Sequence, residues 1–581
     1  MPTLEWIGKD KVINHHQQVP FRVLERKYSY DQNGQHDEDN GSQNMIIHGD
    51  NLEALKALLP SYEGKVKCIY IDPPYNTGNE GWCYNDNVND PKIKKWLGAV
   101  VGKEGEDLSR HDKWLCMMYP RLKLLQRLLA DDGAIFISID DTELANLRLI
   151  CDEIFGSSCF VSNISWQRTY STRNDSKGIV NEVEHILVYS KQPNWSPNKL
   201  PRTEAMNSIY KNPDNDDKPW TSDNPFAPGA ATHQGMVYAI QHPFTGKMLY
   251  PSSGACWRYQ QNDMLEIMRG WCNYEFKNLH DEHERAAVCG VSVDEVRKDV
   301  NGIVLSDSLE TASAQARKIY DRGQWPRFFF TKGGKGGIRR KTYLENVGGR
   351  LSTNLWPYAE VGHTDEAKKQ MLAIFDKKAT FDTPKPTRLV ERILQIAGDS
   401  ETLILDSFAG SGTTAHAVLK LNKADDGNRK FILVEMEDYA DGITAERIKR
   451  VISGYSDVEG TGGDFSYYVL GEMLLLPNEN LNEGVDEHKI REYVYYMETK
   501  EQLPLCEITD NKYYLGRSND TVYYFYYEKN DITTLDHEFL GSIREKADGY
   551  IIYADLCTLS ESELKRHNIT FKKIPRDIAK L

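Results

Sequence analysis

The stretch Cys68-Ile69-Tyr70-Ile71-Asp72-Pro73-Pro74-Tyr75-Asn76-Thr77-Gly78 decides how this chain reads. Val66 to Ile71 is a short, largely apolar run of the kind a buried strand carries. Proline has no N–H and a fixed φ, so Pro73-Pro74 stops the ladder abruptly. Beyond the strand end lies a rigid shelf bearing one carboxylate (Asp72), one aromatic face (Tyr75) and carbonyls that nothing in the loop need satisfy. The carboxyl ends of strands are where open α/β sheets bind ligands. A planar amino group on a heteroaromatic ring suits such a shelf. Asp72 and the Pro73 carbonyl can accept its two hydrogens while Tyr75 stacks on the ring. A plain turn capped by Asp72 is the other reading of the same residues.

Working outward, Met45-Ile46-Ile47-His48-Gly49-Asp50 is a strand followed by a helix through Leu52, Leu55 and Leu59, with Asp50 placed to cap it. Trp82 to Ser109 is polar and mixed, a candidate mobile loop over the shelf. Trp114 to Leu129 reads as an amphipathic helix, Ala134 to Ile139 as a strand, and Thr142 to Phe155 as a helix. Ile164–Trp166 and Ile186–Tyr189 supply further strands. The β-α alternation predicts a doubly wound, Rossmann-like sheet.

From about Pro193 to Asn354 the rhythm breaks, as expected of a recognition module inserted between two halves of an α/β fold. It returns with the strand Leu403–Leu405, the turn Gly410-Ser411-Gly412, the helix Thr413–Leu421 and the strand Phe431 to Glu435. Glycines let the backbone approach a ligand, and a helix N-terminus offers free N–H groups, so this is a nucleotide-type pocket. Ala415 at the third glycine position is a variant that dinucleotide-binding oxidoreductases also tolerate; the shelf, not the spacing, argues against them.

Asp72-Pro73-Pro74-Tyr75 followed by Asn76-Thr77-Gly78 resembles the catalytic motif of amino-methylating DNA methyltransferases, and Asp406-Ser407-Phe408-Ala409-Gly410-Ser411-Gly412-Thr413-Thr414 resembles that family's S-adenosylmethionine loop. Catalytic motif first and cofactor loop second is the order of the β group, a circularly permuted core. Length, insert and tail look most like the modification (Mod) subunit of a type III restriction-modification system, and the resemblance runs from Met45 onward. It implies Asp72, Pro73, Pro74 and Tyr75 as catalytic residues. For the cofactor it implies Asp50, Thr383, Lys385 and Pro386, then Asp406 and Phe408 to Thr414, and Glu435 for ribose hydroxyls. Asp50 would accept from the cofactor's adenine amino group. The domains expected are an arm and linker (1–44), a catalytic half (45–192), a target recognition domain (193–355), a cofactor half (356–476) and a small α/β docking or dimerisation domain (477–581), for which a purely structural role is an equal reading. A Mod dimer and a partner restriction (Res) subunit with helicase and nuclease activity are further implications.

Bulk properties set the limits. The 581 residues are 40% hydrophobic and 27% charged, a globular composition too long for one ordinary domain. No apolar run approaches the ~18 residues that span a bilayer, and the N-terminus carries no signal pattern, so a cytoplasmic location is expected. Ten cysteines without any Cys-x-x-Cys read as reduced core residues. His280-Asp281-Glu282-His283 reads as a solvated helix face, and no metal site is expected. A net charge of −15 argues against a protein that coats DNA uniformly. Yet Arg317 to Lys341 holds nine Lys/Arg against one acid, Asp321. Within it Lys332-Gly333-Gly334-Lys335-Gly336-Gly337 fails as a P-loop, because no Ser or Thr follows a Gly-Lys pair. Lys332, Lys335, Arg339, Arg340 and Lys341 are the DNA-contact candidates, with a plain solvated loop as the competing reading.

These readings converge on methyl transfer from S-adenosylmethionine to the N6 amino group of adenine in duplex DNA, with the base flipped out onto Tyr75. An N4-cytosine methyltransferase uses the same chemistry, although Ser often replaces the Asp in that family. A DNA-recognition subunit with vestigial activity, and an RNA or small-molecule methyltransferase, also fit parts of the pattern.

Overall fold

A computed structural model of the chain describes residues 3–77, 110–170, 179–378, 380–504 and 511–576. Gly78 and the expected mobile loop 82–109 lie outside the described residues. The chain divides into two compact units, Met1–Asn198 with Ser352–Leu581, and Lys199–Leu351. The sequence reading puts the insert at 193–355.

In the first unit Val66–Ile71 is a central strand of an eleven-stranded sheet. The order is Leu355–Trp356, Phe160–Gln167, Val183–Ser190, Leu129–Ile139, Val66–Ile71, Leu403–Asp406, Lys430–Glu435, Met45–His48, Phe465–Met473, Arg22–Asp31 and Gly34–His36. The run from Leu129–Ile139 to Phe465–Met473 is parallel throughout, and antiparallel strands flank it. Parallel strands are covered on both faces and read as unbroken apolar runs, which is why Val66–Ile71 was legible. Ile69 and Ile71 face a core shared with the helices Asn51–Tyr62, Arg110–Leu128 and Leu144–Phe155. The helices Thr387–Ala397, Thr413–Asp425 and Glu446–Ser453 pack together as the second layer. Each fully buried aliphatic side chain contributes about 1.5–3 kcal/mol relative to exposure.

Two expectations are corrected by the fold. Residues 1–44 are not merely an arm: Arg22–Asp31 pairs antiparallel with Phe465–Met473, and Tyr28 stacks on Tyr467 with ring centroids 5.0 Å apart. Charged residues alternating along this edge-side strand hid it. Nor is Arg110–Leu128 half-exposed, because Trp114 to Leu122 are all buried. The N-terminal segment covers its outer face, with Trp6 against Tyr119 and the Cys116 thiol donating to the Ile7 carbonyl.

At the C-terminal end, Glu487–Thr499 docks on the main body, where Arg127 donates to the Tyr496 hydroxyl at 2.7 Å and Tyr496 donates to Glu63. A four-stranded sheet, Tyr514–Ser518, Thr521–Phe525, Gly549–Ala554 and Ile569–Lys573, comes after it. Among the described residues no helix is long and apolar enough to cross a membrane.

The second unit, Lys199–Leu351, carries short sheets around an aromatic core that includes Trp220, Trp257, Trp271 and Phe328 to Phe330. The glycine-rich stretch is the connection of the hairpin Phe328–Phe330 and Ile338–Tyr343.

Candidate active site

Val66–Ile71 and Leu403–Asp406 lie side by side, Cys68 opposite Ile404 and Ile69 opposite Leu405. From the first strand the chain crosses to Leu129–Ile139 on one side, and from the second to Lys430–Glu435 on the other. Their carboxyl ends therefore form a topological switch point, where departing loops splay and leave a crevice. Asp72 stands at one lip and Asp406 to Thr414 form the other. Tyr70, Asp72, Thr383, Lys385, Asp406, Phe408, Ala409, Gly410, Ser411, Thr413 and Thr414 line this one crevice. Asp50, Pro386, Gly412 and Glu435 do not line it. The space between the walls is narrow, about 20 Å³.

Asp72 is the centre of a partly buried charge cluster, its side chain 17% and that of Lys385 11% exposed. Lys385 donates to both of its carboxylate oxygens at 2.7 and 2.6 Å, and the Tyr75 hydroxyl donates to Oδ1 at 2.8 Å. The same hydroxyl lies 3.1 Å from Glu184 Oε2, and Arg168 holds Glu184 Oε1 at 2.9 Å. Burial pushes the Asp72 carboxyl above its ordinary range, against the pull of Lys385. Burial also opposes charge on Lys385, but Asp72 and Glu184 outweigh it and hold the ammonium above its ordinary range. Tyr75 is held well above the phenol range by burial and by the two carboxylates, so it stays a neutral donor.

The shelf is braced from below. The Trp114 indole donates to the Pro74 carbonyl from outside the loop. Asn76, at a left-handed φ of 60°, donates to Glu143 at 2.5 Å and to the Arg110 carbonyl at 3.2 Å. Glu143 is fully buried and also bonds His111 and Asn146.

On the opposite lip the carboxylates shape the loop. Asp406 accepts from the Phe408 N–H and the Thr414 hydroxyl, and burial pushes it up to about 7. Glu435 accepts from the Gly410 N–H at 2.7 Å and the Glu437 N–H at 3.0 Å; burial pushes it, too, up to about 7. Gly410 and Gly412 have φ of 52° and 79°, conformations that favour glycine. A Cβ on Gly412 would stand 3.2 Å from the Thr444 carbonyl oxygen. Asp50 caps Asn51–Tyr62 by accepting from the Leu52 and Glu53 N–H groups, at the end of the strand beside Lys430–Glu435. Pro386 immediately precedes the helix Thr387–Ala397.

Beneath the turn lies Arg447, fully buried, with no carboxylate partner among the described residues. It donates to the Ser411 hydroxyl at 2.8 Å, the Thr413 hydroxyl at 2.9 Å and His416 Nδ1 at 3.2 Å. Burial and then the Arg447 charge hold His416 well below the usual imidazole range, which leaves it neutral. Sequence reasoning missed Glu184, Arg168, Trp114, Glu143 and Arg447. Of these only Glu184 left a trace, as a carboxylate just ahead of the apolar run Ile186–Tyr189 in the strand Val183–Ser190.

Within the second unit the basic candidates behave differently from one another. Lys332 and Lys335 are exposed on the hairpin connection. Arg339 bonds the Ser222 hydroxyl at 3.1 Å, and Arg340 pairs with Asp223. Lys341 is a correction: its side chain is 0% exposed and paired with Asp214 and with Asp216 at 2.6 Å, so it is a core ion and presents nothing to DNA.

The chain is similar in sequence to known modification subunits. The Mod subunit of the type III restriction-modification enzyme StyLTI, from Salmonella typhimurium, is 32% identical over 444 residues, covering 71% of this chain and 58% of its own. The EcoP15I Mod subunit, from Escherichia coli, is 29% identical over 465 residues, 75% of this chain and 64% of its own. The chain thus spans about three fifths of the length of these relatives. Among solved structures, the cytosine-N4-specific PvuII DNA methyltransferase overlays 70% of this chain and 86% of its own at 13% identity with a TM-score of 0.31, too loosely to bear on the argument. The N6/N4 methyltransferase family model, described as DNA methylase, matches residues 66–446. That match starts with the strand that ends in the shelf and reaches the first residue of the helix that carries Arg447, and the chain belongs to the DNA methylase family.

Proposed function

We propose that the chain transfers a methyl group from S-adenosylmethionine to the N6 amino group of adenine in duplex DNA. The observation that carries this is the adjacency of Asp72 and the Gly410–Gly412 turn at one switch point. The residues fit the cofactor. The N-terminus of Thr413–Asp425, backed by the buried Arg447 charge, suits a carboxylate, and Asp50 and Glu435 offer acceptors at neighbouring strand ends. When bound, S-adenosylmethionine supplies an electrophilic methyl group.

The chain's own residues supply position and electrostatics. An exocyclic amino nitrogen is a poor nucleophile because its lone pair is delocalised into the ring. Hydrogen bonds to Asp72 and to the Pro73 carbonyl favour a pyramidal nitrogen whose lone pair is free to attack, with no covalent intermediate. A base inside a duplex is out of reach, so it is flipped out, with the Tyr75 ring as its stacking face. The strand order supports a permuted core, with Lys199–Leu351 as target recognition domain and Lys332 and Lys335 among its DNA contacts. The two Mod relatives support a place in a type III restriction-modification assembly, and a restriction subunit as partner, a dimer and a cytoplasmic location belong to the same proposal.

Modification-sensitive sequencing of host DNA expressing the wild-type chain or Asp72→Ala tests the reading. N6-methyladenine at one short motif, lost in the variant while cofactor binding persists, is the expected result. N4-methylcytosine would overturn the base, and wild-type activity in the variant would overturn the role of Asp72.

A further inference from the structure

The Lys385 ammonium covers both oxygens of Asp72, at 2.7 and 2.6 Å, so it occupies the carboxylate that a target amino group would use beside the Pro73 carbonyl. A second seat lies close by, because Glu184 Oε2 is 3.7 Å from Lys385, just beyond hydrogen-bond range. Arg168 fixes the other Glu184 oxygen, so Oε2 is the one turned towards Lys385 and Tyr75. The Tyr75 hydroxyl stands within reach of both carboxylates and has one proton to donate. The two donors, ammonium and phenol, can therefore exchange acceptors.

We propose that Lys385 and Glu184 are positioning residues: Lys385 holds the Asp72 carboxylate for the target amino group and yields it by moving onto Glu184. This rests on the reading of the chain as an amino-methylating enzyme. An ammonium and an amino group are both N–H donors, so the target replaces one of the two ammonium hydrogen bonds at Asp72 while the Tyr75 hydroxyl keeps its own on Oδ1. Glu184 keeps the displaced cation paired; without it the ammonium would be stranded in a buried site. The Lys385 backbone stays in place, because the Thr413 hydroxyl donates to its carbonyl at 3.2 Å and Arg447 holds that hydroxyl. The movement is thus confined to the side chain, and it opens the narrow crevice.

The groups facing Asp72 set the expected signs. Among the described residues they are Lys385, Tyr75 and Glu184, with Tyr70 and Asp406 on the two strands and Arg168 behind Glu184. Removing Lys385 leaves Asp72 among like charges and raises the pH at which it ionises. Neutralising Glu184 lowers it. The test compares full-length wild type, K385M, K385R, E184Q and the K385M/E184Q double variant. It reads methyl transfer to duplex DNA against pH, S-adenosylhomocysteine affinity, and infrared titration of Asp72 by difference against Asp72→Asn.

K385M should move the acid limb up by about one pH unit or more, and K385R should restore it. E184Q should move the limb down and lower kcat/KM about tenfold with unchanged S-adenosylhomocysteine affinity, and the double variant should recover part of that loss. Strictly additive losses with an unmoved limb would overturn the proposal. Should the wild type methylate no DNA, the functional reading fails instead. The infrared titration then decides the pairing: opposite shifts in K385M and E184Q support it, and shifts of one sign or none overturn it.

Discussion

Trp114 Nε1 donates to the Pro74 carbonyl at 2.7 Å, which joins the buried face of Arg110–Leu128 to the shelf that presents Asp72. Proline cannot be held through an N–H, so a carbonyl is the only main-chain handle the Pro73-Pro74 pair offers. Trp114→Phe keeps an aromatic ring but leaves that partly buried carbonyl without its donor, at about 1–3 kcal/mol. Denaturant unfolding should show that loss. Single-turnover methyl transfer should slow by about ten- to a hundredfold through misplacement of the shelf, with cofactor affinity retained.

Arg447 yields a second prediction. It is a cation with no carboxylate partner among the described residues, placed under the turn that is read as the cofactor loop, and it holds Ser411 and Thr413 by their hydroxyls. Arg447→Met should weaken S-adenosylhomocysteine binding by about tenfold or more and destabilise the fold by about 2–4 kcal/mol. It should also raise the His416 pKa, because the Arg447 charge depresses it after burial. Calorimetry and an NMR titration of His416 measure these effects.

How much of this was legible depends on what encodes each contact. The shelf, the glycine turn and the strand–helix alternation are local in sequence, and Pro73-Pro74 or Gly410-Ser411-Gly412 announce themselves. Glu184 is separated from Tyr75 by 109 positions and Arg447 from Ser411 by 36, so only the sheet order brings them to the site. Lys385 was found for its place near the cofactor loop, but its bond to Asp72 crosses 313 positions and no local pattern encodes it. The basic run that ends at Lys341 misled for the opposite reason: charge in sequence does not say which side of a strand is wet. Ile338–Tyr343 is paired on both edges, and Lys341 points inward to Asp214.

Glu435 and Asp406 predict a pH dependence. Burial raises both carboxyls to about 7 in the folded chain. Between roughly pH 4 and 7 the native state then binds more protons than the unfolded chain, so stability falls as pH rises through that window and levels off above it. For Glu435 the loss is on the order of 3 kcal/mol. Glu435→Gln still accepts from the Gly410 N–H but cannot ionise. Its stability at pH 8 relative to pH 5 should therefore fall less than that of the wild type in denaturant titrations at the two pH values. An equal fall would assign the pH dependence elsewhere.

The basic segment separates structure from recognition. Lys341→Met leaves Asp214 and Asp216 without their shared cation in the core of Lys199–Leu351, which should cost about 3–5 kcal/mol. Lys332→Ala and Lys335→Ala alter exposed side chains and should leave stability within about 0.5 kcal/mol of wild type. If the hairpin connection contacts phosphates, each of these two variants should reduce the salt dependence of DNA binding by about one in slope and weaken binding without regard to sequence. Lys341→Met should show its effect in unfolding curves, and its folded fraction should keep the wild-type salt slope. A lowered slope in that variant would mean that the buried lysine reaches DNA after all, and an unchanged slope in the two alanine variants would remove the connection from the DNA interface.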